Sequence, residues 1–446
     1  MQFIYLILSI YYGRKNPLFY LIFPMAMVSG PGALIDSRTV LFGVDIFTQT
    51  KNVYKDVIVV YLFLIVLYLY PRCKFSLIRK SPMGIYGIYI LFLIVYTFAI
   101  SGTNYDAINV MRLFTNMVLG YFLLLLVLST ASYRQFVSFV NMLLVVTAFF
   151  SVLYVLNSSK ILPIFDQKIM YEEVDEGMGG FYRDFSTIPY FSNLLFLFSF
   201  AALLLKNKTF NRKALIAILI TYPFVLLYTF TRGLLIGVII ELIIIIVFVA
   251  WRQPRLIFKT STFSIALAFV IVFGAIQMIF VKEFDYYNQR MKDAKTEGTS
   301  EQNVAIRIAY HVLAYDLMSS NNSLIIGGGI SKKYDQKMNS LGAWQADSTL
   351  PFLLIFTGII GIVLYYYIGI FILITTFKSL LRYPHPLLLA LFAFIAFSLI
   401  ASLFTGGYHW GDPFIFFPYA LVIGFNYIMM KEIKSNKLKT NNSRKI

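Results

Sequence analysis

Long apolar runs separated by polar joints dominate the chain, and the joints alternate in character from one run to the next. A hydrocarbon core about 30 Å thick takes roughly 20 apolar residues per helix. Runs of about that length cover 17–35, 53–71, 84–101, 106–131, 135–156, 189–206, 213–231, 233–250, 260–281, 349–376, 386–405 and 413–430. The pattern predicts an all-α, polytopic integral membrane protein with about 12 transmembrane helices. Its divisions are residues 1–281, with an outer loop at 157–188; a long polar loop at 282–348; further spans over 349–430; and a basic tail at 431–446. Met1–Tyr12 is apolar but short, and it precedes Arg14-Lys15 with no small-residue cleavage site after it. It is expected to be retained, as an interfacial helix or a signal-like segment.

Composition supports the membrane reading. Of 446 residues, 59% are hydrophobic and 13% charged, whereas soluble domains carry about 25% charged residues. Lysine and arginine mark the cytoplasmic side. One set of joints holds Arg14, Lys15, Arg72, Lys74, Arg79, Lys80, Arg134, Lys206, Lys208, Arg212, Lys213, Arg252, Arg255, Lys259, Lys378 and Arg382, and the tail continues it. The short joints of the other set hold only Arg38, Lys51, Lys55 and Arg232. Both termini are therefore expected in the cytoplasm. The net charge of +17 then reflects topology and attraction to anionic headgroups, not a nucleic-acid footprint. A single cysteine, Cys73, excludes an intrachain disulfide and a cysteine-based metal site.

Two outer segments are long enough to build a site. The first, 157–188, carries the acidic run Tyr171-Glu-Glu-Val-Asp-Glu176 and then Gly179-Gly180-Phe-Tyr-Arg183-Asp184. The acidic run has no EF-hand spacing and reads as a solvated face. In the second, Thr299-Ser-Glu-Gln302 fits a capping box ahead of an amphipathic helix over Asn303–Met318. Asn303, Arg307 and His311 recur every four residues on one face of it with Tyr310 alongside, and Ile308, Val312 and Leu313 lie on another. Gly327-Gly328-Gly329 and Lys332-Lys333-Tyr334 follow. The glycines suit a sharp turn or a close backbone approach, and they lack the ending of a Walker A sequence. Ionic groups inside a bilayer are costly and mark function by default. Arg232 in Thr229-Phe-Thr-Arg232-Gly233, Arg112, and Glu241 at mid-span qualify. Their plainer readings are a headgroup anchor, a snorkelling side chain and a partner for a polar neighbour.

Thr229-Phe-Thr-Arg232-Gly-Leu-Leu-Ile-Gly237 resembles the Ser/Thr-x-Ser/Thr-Arg-Gly motif of the O-antigen polymerase and O-antigen ligase superfamily. Three more stretches resemble that family in its order: Gly180-Phe-Tyr-Arg183 with Pro189; Arg307 with Ile326-Gly-Gly-Gly-Ile330; and Asp347-Ser-Thr-Leu-Pro-Phe with Thr357-Gly358-Ile-Ile-Gly361. Together they cover roughly residues 160–375. Ligases commonly carry His where this chain has Asp347, and polymerases often carry Asp, so the resemblance leans toward polymerase.

The resemblance implies a GT-C-like fold and glycosyl transfer between polyprenyl-pyrophosphate-linked oligosaccharides on the outer leaflet, moving a growing glycan onto the non-reducing end of another repeat unit. The leaving pyrophosphate needs Mg²⁺ or an Arg/Lys clamp. With three histidines, one cysteine and no Asp-x-Asp outside the spans, a metal-free clamp of Arg183, Arg232 and Arg307 is expected, guanidinium forks binding phosphate bidentately. Asp347 suits the base for the acceptor hydroxyl, in an inverting single displacement; it equally suits the N-cap of the span after it. The expected site therefore has Asp347, Arg232 and Arg307 as catalytic groups. Arg183, Tyr310, His311, Lys332, Trp344 and His409 would bind pyrophosphate or sugar, and no cofactor or metal is expected. Tyr182, Tyr334, Tyr408 and Trp410 also face the expected outer side. Partners are lipid-linked donor and acceptor, membrane lipids and a chain-length regulator, with no nucleic acid, and the setting is a bacterial inner membrane with the site facing the periplasm. Two rivals remain: an O-antigen ligase, and a lipid-linked oligosaccharide flippase or transporter, whose usual internal repeats are not evident between the two halves.

Overall fold

The computed structural model describes residues 2–29, 53–101, 105–158, 171–174, 181–184, 188–228, 232–257, 302–329, 349–403 and 416–443. In chain order the helices are α1 (Gln2–Gly13), α2 (Ile22–Ser29), α3 (Val53–Tyr68), α4 (Ser76–Lys80), α5 (Met83–Ser101), α6 (Tyr105–Ser129) and α7 (Tyr133–Ser158). Two short strands come next, β1 (Tyr171–Val174) and β2 (Phe181–Asp184). Then follow α8 (Ile188–Leu204), α9 (Arg212–Tyr228), α10 (Arg232–Arg252), α11 (Pro254–Ile257), α12 (Gln302–Ser320), α13 (Thr349–Arg382), α14 (Pro386–Ala401) and α15 (Phe417–Ser443). The apolar runs become helices because a backbone in hydrocarbon must satisfy its own N–H and C=O groups. The expected span 260–281 lies outside the described residues. Of 17–35, Pro17–Leu21 is a 3₁₀ turn leading directly into α2.

Three described helices are long and apolar enough to cross a membrane: Tyr133–Leu156, Leu234–Arg252 and Thr349–Arg382. Shorter apolar helices accompany them, among them Asp56–Tyr68, Met83–Ala99 and Phe114–Ser129. Their outer faces are apolar too. On α5, Ile88 is 70% exposed and Val95 68%, while Tyr86, Ile90 and Leu93 are buried. On α3, Val60, Phe63, Leu64 and Leu67 are exposed opposite buried Ile58, Leu62 and Ile65. A contiguous apolar stripe of this kind is unfavourable in water, and hydrocarbon is its natural solvent. The chain is a helical protein of membrane character.

Contacts divide the chain into two compact units. The first comprises residues 1–49, 134–296 and 377–397. In it α1 folds back on the 3₁₀ turn: the Ser9 hydroxyl bonds the Phe19 and Tyr20 carbonyls at 2.9 and 3.0 Å. Asn16 caps the turn through Leu18 N–H (3.1 Å) and donates Nδ2 to the Gln135 carbonyl (2.8 Å). Gly13 leaves room for the Tyr20 ring, which any Cβ would strike. Helices α8 and α9 pack through Phe196 stacked on Tyr222 at 4.7 Å. Asn211 caps α9, accepting from Lys213 and Ala214 N–H. His385, just ahead of α14, is buried, and desolvation pushes its imidazole down to about 3. Its Nδ1 accepts the Leu387 N–H at 3.2 Å.

The first unit also holds the one ladder among the described residues. Strands β1 and β2 run antiparallel, with Glu172 opposite Arg183 and Glu173 opposite Tyr182. The acidic run is thus partly a strand, an addition to the expected all-α plan. Alternation is too short at four residues each for the pattern to announce it.

The second unit comprises residues 50–133, 297–376 and 398–446. Helix α6 is its centre, packed by α3, α5 and α15. Ser81 and the Tyr121 hydroxyl share a 2.7 Å hydrogen bond, and Phe114 stacks on Phe352 of α13 at 5.8 Å. Helix α12 buries Tyr310, Ala314, Leu317 and Met318, whereas Ile308, Val312 and Tyr315 are exposed. The amphipathic helix is present, but its packed stripe is Tyr310–Ala314–Leu317 rather than the side carrying Ile308 and Val312.

Candidate functional site

Arg232 is the first residue of α10, at the positive end of that helix's dipole. Five residues on, Gly237 of the same motif lies against the Phe397 ring, and a Cβ there would collide with it. One glycine of the motif therefore has a packing role. Nine residues after Arg232 comes Glu241, 1% exposed, whose Oε2 accepts Asn193 Nδ2 from α8 at 2.8 Å. Glu241 thus has the plainer of its two readings, a polar brace between α10 and α8. Arg183, in register with Glu172 on the ladder, belongs to this same unit.

Arg307 lies in the second turn of α12, in the other unit. One turn further, Tyr310 is 2% exposed and His311 half-buried. Tyr310 therefore packs α12 against its own unit. Asp347, Lys332, Trp344 and His409 lie outside the described residues, as do Thr229–Thr231 of the arginine motif.

Beyond α12 the chain turns at Asn322 (φ 54) and runs into the glycines. Gly327 and Gly329 have φ of 88 and 76, and Gly358, inside α13, has φ 62 and ψ −168. Such backbone is open to glycine and strained for other residues. At Gly358 the helix breaks, and the turn after α12 fits against the break. Gly328 N–H bonds the Ile355 carbonyl at 2.7 Å; Ile359 and Ile360 N–H bond the Leu324 and Ile325 carbonyls at 3.0 and 3.2 Å. Polar backbone exposed by the break is thereby satisfied by other backbone, the condition for an interrupted helix at membrane depth. Tyr89 of α5 adds its hydroxyl, donated to the Thr357 carbonyl at 2.6 Å and near the Ile326 carbonyl at 3.3 Å. Gly329 abuts Thr97 and Tyr96 of the same helix.

Arg112 on α6 meets Asp56 in the first turn of α3: Nε to Oδ1 is 3.2 Å, and Nη2 reaches Oδ2. Asn116, one turn along, donates Nδ2 to the same Oδ1 at 2.7 Å. Arg112 is an ion-pair member instead of a lone snorkelling cation. Asp56, Asn193 and Tyr89 escaped the sequence reading. A carboxylate among flanking lysines, an amide within an apolar run and one of 32 tyrosines carry no signal until their partners are known.

No protein-family model matches this chain, and no curated protein matches it.

Proposed function

We propose that this protein is a polysaccharide polymerase of the O-antigen or capsular type, a glycosyltransferase of about 12 spans with a GT-C-like fold. The observation that carries the reading is the ordered set of arginine- and glycine-bearing stretches, from Arg183 through Thr229–Gly237 and Arg307 to Asp347. In support, Gly327 and Gly358, one from each of two of those stretches, abut so closely that neither leaves room for a Cβ, and backbone hydrogen bonds join the segments around them, 324–328 and 355–360.

The transfer takes place at the outer face of a bacterial inner membrane, with both termini in the cytoplasm. The acceptor hydroxyl oxygen at the non-reducing end of one lipid-linked unit attacks the anomeric carbon of the donor glycan. The new C–O bond forms as the bond to the polyprenyl pyrophosphate breaks, and Asp347 takes the hydroxyl proton. Arg183, Arg232 and Arg307 balance the charge that develops on the leaving pyrophosphate, without a metal. Pyrophosphate needs no proton to depart, so one carboxylate suffices and the anomeric configuration inverts. His311, Lys332, Trp344 and His409 contact the sugars or the carrier headgroup, buried Tyr310 steadies the helix that carries His311, and a chain-length regulator docks nearby.

The test is genetic and chemical together. Arg232→Ala and Arg307→Ala abolish chain extension while single repeat units still reach the surface. Loss of repeat-unit export instead selects a flippase; long polymer that stays on its carrier, never joined to a lipid core, selects a ligase. A product that keeps the donor's anomeric configuration removes Asp347 from its role.

A further inference from the structure

The geometry assigns Tyr89 as a positioning residue for the transfer proposed above: its hydroxyl pins the turn that anchors the Arg307 helix to the break in α13. This rests on that functional reading for its catalytic meaning, but the pinning itself stands on contacts alone. Three segments converge on one oxygen. Tyr89 comes from α5, its short hydrogen bond goes to Thr357 beside the break, and Ile326 of the glycine turn lies within reach of the same hydroxyl. Phe92 stacks on the Tyr89 ring at 6.1 Å, and the ring is 9% exposed, so the hydroxyl is held where it is needed.

The neighbouring bonds of the junction, from Gly328, Ile359 and Ile360, are backbone to backbone. Tyr89 is therefore the place where the junction can be loosened by removing one atom and without disturbing a glycine. The effect would be felt at a distance. Arg307 precedes the end of α12 by 13 residues, which is about 20 Å of helix at 1.5 Å per residue. A tilt of about 5° at the pivot then carries that end of the helix about 1.7 Å, and misplacement on the order of 1 Å costs up to about a hundredfold in rate. Pyrophosphate departure is the step that senses it, because the arginine's task lies in the transition state.

Hydrogen exchange read by mass spectrometry, on the full chain in lipid nanodiscs, tests the pin. Tyr89→Phe is expected to speed exchange at Gly328, Ile359 and Ile360 about tenfold and to leave α8 and α9 unchanged. In parallel, extension of a polyprenyl-pyrophosphate-linked repeat unit is measured. Tyr89→Phe is expected to lower kcat about tenfold with KM for the donor unchanged, and to cost less than about twofold when added to Arg307→Lys. Unchanged exchange overturns the pin. Equal losses in both backgrounds, or a loss confined to KM, overturn the positioning role. Wild-type protein that extends nothing overturns the polymerase reading and Tyr89's part in it, while exchange still decides the pin. Should Tyr89→Phe fail to accumulate, difluorotyrosine at position 89, a stronger donor of similar shape, is expected to slow exchange at the same amides; no change there overturns the pin.

Discussion

Helix α10 carries a carboxyl, Glu241, that is 1% exposed, and answers it with one amide, Asn193, from α8. Helix α13 carries no such side chain at its interruption; it breaks its own backbone at Gly358 and answers with the backbone of a glycine turn. Both are long apolar helices facing the same demand, that polar groups inside a membrane protein find partners. The difference lies in what mutation can undo. A side-chain pair can be deleted together, leaving two apolar surfaces. A backbone break stays whatever the side chains are, and it depends on residues without a Cβ on both sides of the contact.

The largest expected effect follows from that dependence. Gly358→Ala puts a Cβ against the Ile325 carbonyl in a backbone region that disfavours it, at a cost of about 3 kcal/mol or more. The variant should all but vanish from membranes, while Gly84→Ala, with nothing near its Cβ, should accumulate normally. Near-normal levels of Gly358→Ala would erase the contrast. Next comes the side-chain pair. Asn193→Ala should lower stability in thermal unfolding by about 1–3 kcal/mol, since a buried carboxyl loses its partner, and Asn193→Leu with Glu241→Leu should recover most of the loss. A double variant no better than the single one would show that α10 and α13 do not differ in this respect.

Smaller still is the change expected at Asp56 and Arg112, whose side chains are 34% and 30% exposed. Arg112→Leu should cost about 1 kcal/mol by the same measurement, because Asn116 continues to hold Asp56 and the environment screens what remains. The smallest is a pH effect at His385, where burial holds the imidazole at about 3 against the usual 6.5. The unfolded chain takes up the proton first, so stability is full above 6.5 and falls as pH drops between 6.5 and about 3. From pH 7 to 6 the loss should be about 0.7 kcal/mol, and His385→Asn should flatten the slope. A slope that persists in that variant belongs to another group.

Helix existence was legible in the chain because apolar runs this long have few alternatives. The run 233–250 became Arg232–Arg252, and 84–101 became Met83–Ser101. Ends were less legible: α13 continues past 376 to Arg382, since a helix need not stop where hydropathy does. Positions of Arg232, Arg307 and the glycines could be read as motifs. Their supports could not, because each support joins residues distant along the chain. Asn193 and Glu241 are 48 positions apart, Asp56 and Arg112 are 56 apart, and Tyr89 and Thr357 are 268 apart. Periodicity within one segment holds no record of such pairings, and the break at Gly358 sits in a run whose hydropathy is uninterrupted.

Cys73 is the chain's single thiol, it is buried, and desolvation pushes its ionisation upward. Because the thiolate is the reactive form, this sulfur should be nearly silent toward maleimides and spin-label reagents. The natural protein is therefore close to a blank background for labelling. One cysteine introduced by design, at an outer joint or along the tail, would report its own side of the bilayer with little need to remove the native one.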